Sequence, residues 1–295
     1  MGVTMADSIN IIDPHLHFFD YQNGHYHWLK PDHPPFWHNK KILQKNFNET
    51  HLPTNPAIQL QGLVHIEAGF DNLNPEKELD FLNNRTLPTY RSIACADLTK
   101  DDFRESLKRL KHYSHFIGVR HIIDEHGEWL LNDPTFEKNL ALLAENQLIF
   151  EAQLDCCDLD SAIRLATLAS KYPDLQICIN HAGILRDYSE WPALPEYAMW
   201  RAAMHYFSDQ DNIAVKISGM EMQNLRWNWQ QAKWLVHKLK NLYGLDKLML
   251  ASNFPINLLS IPYDDLWLGY SEELDLSDEA FQVLAHDNAK RIYRL

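Results

Sequence analysis

The chain has 295 residues, of which 45% are hydrophobic and 23% charged, so it can bury a substantial core and is not a disordered polypeptide. Lys and Arg total 27 against 40 Asp and Glu, and the formal net charge of -13 would repel nucleic-acid phosphates and anionic membrane surfaces. The 4 cysteines lack the spacing of a zinc ribbon or a secreted disulfide framework, which favours reduced thiols.

The ends and apolar stretches of the chain indicate a single cytoplasmic domain. No positively charged start precedes an apolar run, and no stretch reaches the roughly 18 apolar residues of a membrane span. A unit covering residues 1–295 is expected, because barrels of alternating strands and helices often exceed about 250 residues. The predicted partner is a small-molecule substrate, with neither nucleic acid nor membrane involved, and the sequence is compatible with a monomer or a homo-oligomer.

Short apolar, β-branched runs recur along the chain and alternate with stretches of helical spacing, which is typical of repeated βα units. The predicted strands are Ile9–Asp13, Leu60–Glu67, Arg91–Ala96, Phe116–Ile122, Leu148–Leu154, Gln176–His181, Ile213–Ser218 and Lys247–Ser252. The predicted helices are Pro75–Asn84, Asp101–Ser114, Pro134–Asn146, Asp158–Tyr172, Pro195–Ser208, Trp229–Tyr243 and Ser277–Tyr293.

This element order fits two α/β folds. An open doubly wound sheet that binds a dinucleotide would carry a Gly-rich turn after its first strand. The first strand instead leads into Asp13-Pro14-His15-Leu16-His17. We therefore predict a (β/α)8 TIM barrel, whose functional residues lie at the carboxyl ends of the strands.

The segment Asp20–Ala57 joins the first two strands and has no periodic helix. It is rich in Pro, His, Trp and Asn, and loops of this length are usually functional. Because it leaves the carboxyl end of a strand, we predict a lid that brings Trp28 and Trp37 to the substrate. The alternative is a surface loop whose tryptophans only pack on the barrel.

Histidines follow the first predicted strand and end the sixth. His15 and His17 are two residues apart, so strand alternation points both imidazoles to the same side. Paired imidazoles at a barrel mouth are suitable ligands for zinc or a similar ion. A lone histidine such as His181 is often only a satisfied polar group, but here it would face the same mouth, and we predict that all three share a site.

Several segments resemble successive signatures of the amidohydrolase-2 family, in particular its branch that includes sugar lactonases and a pyrone-dicarboxylate lactonase. In chain order, these segments are Asp13–Asp20, Gly118–Arg120, Ile179–Gly183, Val215–Gly219 and Ala251–Pro255. The resemblance covers nearly the whole chain and implies a distorted (β/α)8 barrel. It also implies that His15, His17 and His181 bind a divalent metal such as zinc or manganese or, as in some members, bind the substrate directly.

One residue departs from the family pattern. Asn253 stands where the motif most often has an aspartate that activates the hydrolytic water. A neutral amide cannot accept a proton near neutral pH and is a poorer metal ligand than a carboxylate. Asn253 stays a candidate catalytic residue, and Glu67, Glu151 and His181 become candidates for the base. For each carboxylate the alternative is a salt-bridged structural role.

Two cationic residues are candidate substrate contacts. Arg120 ends the fourth strand, where a guanidinium can bind a substrate carboxylate or a pair of hydroxyls, and the resemblance implies the same role. The neighbouring His121 should point to the opposite face of the strand. Lys216 is expected either to line the lower part of the site or to pair with Glu151 inside the barrel.

The favoured function is hydrolysis of a lactone derived from a sugar acid or a small polar carboxylate, with or without a metal. Lactones are activated esters, so Asn253 does not exclude this reaction. Non-oxidative decarboxylation, which the family also contains, depends more strongly on a complete metal shell, so Asn253 counts against it. A third alternative is a barrel that has lost catalysis and binds a small molecule, since a fold does not fix a function.

Overall fold

The computed structural model describes residues 8–184 and 195–295. Its strands form one parallel sheet of 8 strands in the order β1 to β8. They are β1 Ile9–Leu16, β2 Ile58–Ile66, β3 Thr89–Cys95, β4 Phe116–Ile122, β5 Ile149–Gln153, β6 Ile177–Ile179, β7 Ile213–Ile217 and β8 Leu248–Leu250. A parallel bridge between Leu16 and Phe254 brings the two ends of the sheet together, which confirms the predicted (β/α)8 barrel.

Most of the helices pack around the outside of the barrel. The helices are α1 Glu76–Asn83, α2 Phe103–Leu110, α3 Gly127–Asn132, α4 Pro134–Glu145, α5 Leu159–Lys171, α6 Pro195–Ser208, α7 Met220–Gln223, α8 Trp229–Tyr243, α9 Tyr263–Glu273, α10 Asp278–Gln282 and α11 Asn288–Tyr293. A π-helical turn at Val283–Asp287 joins the last two. Among these described helices, none is long and apolar enough to cross a membrane.

Local capping explains where several helices begin. The Asp133 carboxylate accepts from the backbone N–H groups of Thr135 and Phe136 at 2.6 and 3.3 Å, ahead of Pro134 in the first turn of α4. Ser277 caps α10 in the same way. Such caps satisfy N–H groups that have no partner inside the helix, and both were readable from the sequence.

Three differences from the predicted elements matter for the site. β1 continues to Leu16, so His15 lies within the strand. β6 ends at Ile179, and His181 lies in a 3-10 turn with a φ of 52°. Helix α9 was not predicted, although its acidic first turn and the helical spacing of Tyr263, Leu266, Trp267 and Tyr270 are both helix signals.

The C-terminal segment closes the amino-terminal end of the barrel. Ala289, Ile292 and Tyr293 pack against apolar side chains that fill the barrel interior. Asn288 donates to the carbonyls of Leu245 and Leu248 at the start of β8, at 2.7 and 2.8 Å. The polar side chains of the candidate site lie at the opposite, carboxyl end of the barrel.

Residues 17–57 form the long connection between β1 and β2. Phe19 and Phe47 pair in an antiparallel bridge. The buried Lys40 ammonium donates to the carbonyls of Trp28, Lys30 and His33 at 2.9, 2.8 and 2.7 Å. Backbone carbonyls replace water around this charge, so Lys40 ties successive turns of the connection together.

Candidate active site

The structure brings His15, His17 and His181 together at the carboxyl end of the barrel. The ring centroids of His15 and His17 are 5.1 Å apart, and those of His15 and His181 are 4.6 Å apart. All three side chains are buried. The predicted cluster is thus present, although its third member comes from a turn rather than from a strand.

Hydrogen bonds at the Nδ1 atoms orient two of these rings. His17 Nδ1 donates to the carbonyl oxygen of Ile66 at 2.7 Å, which leaves the lone pair on Nε2. His181 Nδ1 lies 3.0 Å from Ser218 Oγ. Gly219 packs directly on His181, because a Cβ there would lie 2.6 Å from Nδ1. Only glycine allows this close approach.

The three histidines are neutral at neutral pH. Burial lowers the pKa of His15, of His17 and of His181 well below the usual value, and nearby cations lower each further. For His15 the largest charge effect comes from Lys216, and for His17 and His181 it comes from Arg120. A neutral imidazole has one donor and one acceptor, so the role that each ring can offer a substrate is set by the bond that its other nitrogen makes.

Asp13 connects β1 to the residues after β8. Its carboxylate accepts from the Ser252 backbone N–H at 3.1 Å, from the Ser252 hydroxyl at 2.5 Å and from the Tyr263 hydroxyl at 3.1 Å. Burial raises the pKa of Asp13 to about 6, although these hydrogen bonds oppose the shift. Its oxygens are therefore engaged in holding the barrel closed.

Arg120 and Glu67 form a buried ion pair. Arg120 Nε donates to Glu67 Oε1 at 2.7 Å, and Nη2 donates to the Glu67 carbonyl at 2.6 Å. Both residues line a cavity of about 540 Å³ that extends toward the loop after β3 and helix α2. His121 faces the helix layer and packs on Phe136, as strand alternation predicted. Glu67 thus has the salt-bridged arrangement given as its alternative.

Glu151 and Lys216 form a second ion pair inside the barrel. Lys216 Nζ lies 2.8 Å from the carboxylate, which also accepts from Asn180 Nδ2 at 2.5 Å and from the Tyr293 hydroxyl at 2.6 Å. Lys216 Nζ is also 3.4 Å from His15 Nδ1. Burial lowers the pKa of Lys216, and the Glu151 carboxylate opposes the shift. Glu151 is thus saturated with donors, and Lys216 touches the histidine cluster.

Asn253 lies beside His15 and carries a left-handed backbone with a φ of 58°. Its N–H donates to the His15 carbonyl at 2.9 Å. Its Nδ2 donates to Glu221 Oε1 at 2.7 Å, whereas Oδ1 is buried without a hydrogen-bond partner among the described residues.

Glu221 was not among the residues singled out from the sequence. It lies in α7, directly after the Ser218-Gly219 turn that contacts His181. Only 4% of the residue is exposed, and burial raises the pKa of its carboxyl group to about 7. An acidic residue three positions beyond the predicted end of the seventh strand at Ser218, and so near the barrel mouth, was the available signal.

Trp28 is close to the cluster but separated from it by another ring. Its indole N–H donates to the Ala68 carbonyl at 2.7 Å. The Trp28 ring packs edge-on against Phe19 at 5.8 Å and against Trp37 at 6.1 Å, and Phe19 stacks with His17 at 6.4 Å. Trp28, Trp37 and Phe19 thus form one aromatic group, and Phe19 is the member that contacts His17.

The residues present do not fit a resident divalent metal. Within residues 8–184 and 195–295, no group of three His, Cys, Asp or Glu side chains is arranged to hold an ion. The carboxylates of Asp13, Glu67 and Glu151 are engaged by other donors. The Lys216 ammonium lies at His15 Nδ1, which favours the proton of that ring on Nε2, where a metal would need a lone pair.

A family model described as amidohydrolase matches residues 12–295. The chain belongs to the amidohydrolase family. This amidohydrolase is 30% identical to the uncharacterized protein y4mH of Sinorhizobium fredii, over 99% of this chain and 100% of that protein. It is 24% identical to the L-fucono-1,5-lactonase of Burkholderia multivorans, over 86% of this chain and 85% of that enzyme.

Solved structures share the fold of this amidohydrolase. An amidohydrolase from Burkholderia multivorans with bound zinc superposes with a TM-score of 0.78 at 19% identity, covering 97% of this chain and 100% of that one. A probable 2-pyrone-4,6-dicarboxylic acid hydrolase from Acinetobacter baumannii with bound citric acid gives 0.69 at 19% identity, with the same coverage. At this identity the likeness concerns the barrel alone.

Proposed function

We propose that this amidohydrolase opens the lactone ring of a small polar acid, of the sugar-acid or pyrone-carboxylate type, by addition of water. The observation that carries the proposal is the convergence of the neutral imidazoles of His15, His17 and His181 at the barrel mouth, near the buried Arg120. Family membership and the 24% identity to a lactonase support it.

Two histidines have complementary hydrogen-bonding roles in this proposal. Lys216 favours the proton of His15 on Nε2, and this buried atom has no partner among the described residues. Nε2–H of His15 therefore donates to the ring carbonyl, whose oxygen gains negative charge as water adds. His17 Nε2 keeps its lone pair, because Nδ1 donates to Ile66, and accepts a hydroxyl of the substrate or the water.

Arg120 orients the acid group of the substrate. Its contacts with Glu67 and Gln153 involve three of the five N–H groups of a guanidinium. The remaining N–H groups can donate to a substrate carboxylate or hydroxyl, while Glu67 holds the guanidinium plane in place. A carboxylate near Arg120 would gain a charge-assisted hydrogen bond in a buried, weakly screened environment.

The reaction requires water and one proton acceptor. The water oxygen bonds to the carbonyl carbon, the bond between that carbon and the ring oxygen breaks, and the ring oxygen takes up a proton. The product is a hydroxy acid. Because a lactone is an activated ester, a base with a pKa near neutrality suffices, and none of these steps is routed through a metal.

The test is a pH-indicator assay of the purified protein with five- and six-membered aldonolactones and pyrone carboxylates. We expect turnover that falls by about 100-fold or more in His181→Asn. His112→Asn, which changes an exposed histidine, should leave it unchanged. Absence of turnover on every lactone, or full activity of His181→Asn, would overturn the proposal. Release of carbon dioxide without ring opening would favour the decarboxylase alternative.

A further inference from the structure

A buried carboxylate lies beside the position where the family motif usually places one. Glu221 Oε1 accepts from Asn253 Nδ2 at 2.7 Å. The two residues come from the ends of neighbouring strands, Glu221 after β7 and Asn253 after β8. Glu221 therefore supplies, in direct contact with Asn253, the negative charge that Asn253 lacks.

Neighbouring residues connect this pair to the histidine cluster from two sides. On the β7 side, Ser218 Oγ lies 3.0 Å from His181 Nδ1, and Gly219 packs on the same ring. On the β8 side, the Asn253 N–H donates to the His15 carbonyl at 2.9 Å. Glu221 and Asn253 therefore lie between the segments that carry His181 and His15.

Two buried polar atoms in this region have no hydrogen-bond partner among the described residues: Asn253 Oδ1 and His15 Nε2. Buried polar atoms almost always have a protein or water partner. An amide oxygen whose own amide nitrogen contacts a carboxylate suits a water molecule that donates one hydrogen to that oxygen.

We propose that Glu221 is the proton acceptor for the hydrolytic water and that Asn253 Oδ1 holds this water in place. The inference rests on the proposed lactone hydrolysis. As the water oxygen bonds to the carbonyl carbon, its proton moves to the Glu221 carboxylate. When the bond to the ring oxygen breaks, the same proton returns to that oxygen, so Glu221 ends the cycle ionised.

The surroundings of Glu221 suit this role. Burial raises its pKa to about 7, the hydrogen bond from Asn253 limits the rise, and no charged side chain of the described residues contributes. The 3-10 turn Ile256–Leu259 packs against α7 and contains no titratable side chain. The titratable groups of the adjoining site segments are His15 and His181, which are neutral. A base with a pKa near the working pH is the most effective.

The decisive variant is Glu221→Gln, whose amide oxygen can still accept from Asn253 Nδ2 and preserve the fold. We expect kcat to fall by roughly 100- to 10,000-fold with little change in KM. The acid limb of the kcat/KM profile, centred near pH 7 in the wild type, should disappear. Glu272→Gln, which neutralises an exposed carboxylate on α9, is the matched control and should behave like the wild type.

Two further variants separate proton transfer from a structural effect. In Glu221→Ala, added formate should restore part of the activity, because a small carboxylate can occupy the vacated space and take the proton. In Asn253→Asp, a second carboxylate would touch Glu221 and raise its pKa by charge repulsion, so the acid limb should move to higher pH.

The outcomes distinguish this inference from the proposed function. If Glu221→Gln keeps the turnover of the wild type and an unchanged acid limb, the proposed role of Glu221 is wrong. The proposed lactone hydrolysis would still stand. The same conclusion follows if Glu221→Gln and Glu221→Ala are folded and inactive but formate restores nothing. Failure of the wild type on every lactone would overturn both.

Discussion

Lys216 and Glu151 form an ion pair at the centre of the barrel, with an Nζ to carboxylate distance of 2.8 Å and both side chains 0% exposed. Asn180 and Tyr293 also donate to the carboxylate. Each charge has lost its water, and this unfavourable desolvation is offset by the partner and by the hydrogen bonds around it. The same ammonium contacts His15, so the pair links the barrel interior to the candidate active site.

The Lys216–Glu151 pair should show strong energetic coupling. Lys216→Met or Glu151→Gln alone leaves a buried charge unpaired and should reduce the free energy of unfolding by about 3–5 kcal/mol. The double variant carries no unpaired charge, so its loss should be well below the sum of the two. Urea unfolding of the four proteins measures the coupling. Additive losses would show that the two charges do not stabilise each other.

Arg120→Lys tests recognition of an acidic substrate. Lysine cannot reproduce the planar contacts with Glu67 and still present an N–H to the ligand. We expect kcat/KM to fall roughly 10- to 100-fold for lactones that carry a carboxylate, and less for neutral lactones. Arg104→Lys, an exposed change on α2, is the control. An equal loss on charged and neutral lactones would contradict direct recognition.

Chelation tests the interpretation of the histidines. Because Lys216 contacts His15 Nδ1 and the nearby carboxylates are engaged, we expect elemental analysis to give less than about 0.1 equivalent of metal. Lactone turnover should survive a chelator. Activity that disappears on chelation and returns with zinc or manganese would instead place an ion at the histidines, especially if His17→Ala abolished metal binding.

The barrel and the histidine cluster were predictable because both depend on local pattern. Strand alternation places His15 and His17 on one side, and parallel strands bring all their carboxyl ends to one face, which adds His181. Family resemblance gave the same residues. Arg120 and Lys216 were likewise expected at or below this face.

The pairings within the site could not be predicted, because they depend on contacts between distant segments. Arg120 and Glu67 are 53 positions apart, and Lys216 and Glu151 are 65 apart. The sequence contains several candidate carboxylates, but it does not show which of them form an ion pair with Arg or Lys. Glu221 was missed for the same reason, since its importance follows from burial and from contact with Asn253. The turn that gives His181 its positive φ also has no periodic signature.

Acid should destabilise the protein through its buried histidines. Burial lowers the pKa of His65 to about 3 and that of His115 to about 4, and the pKa values of the site histidines are lowered as well. The unfolded chain binds these protons near pH 6.5, whereas the folded protein does not. Through these groups, the free energy of unfolding is highest above about pH 6.5. Well below that pH it falls by roughly 1.4 kcal/mol per group per pH unit.

Asp13 and Glu221 act in the opposite direction. Their pKa values are raised to about 6 and about 7, and burial raises the pKa of Glu78 as well, so the folded protein holds protons that the unfolded chain releases, and acid favours folding through these three groups. The histidines outnumber them, and we expect a net loss of unfolding free energy between about pH 7.5 and 5.5. Urea unfolding at both pH values measures it. His65→Leu removes one such site and should reduce the loss between the two pH values by about 1.4 kcal/mol; an unchanged loss would mean that His65 binds its proton equally in both states.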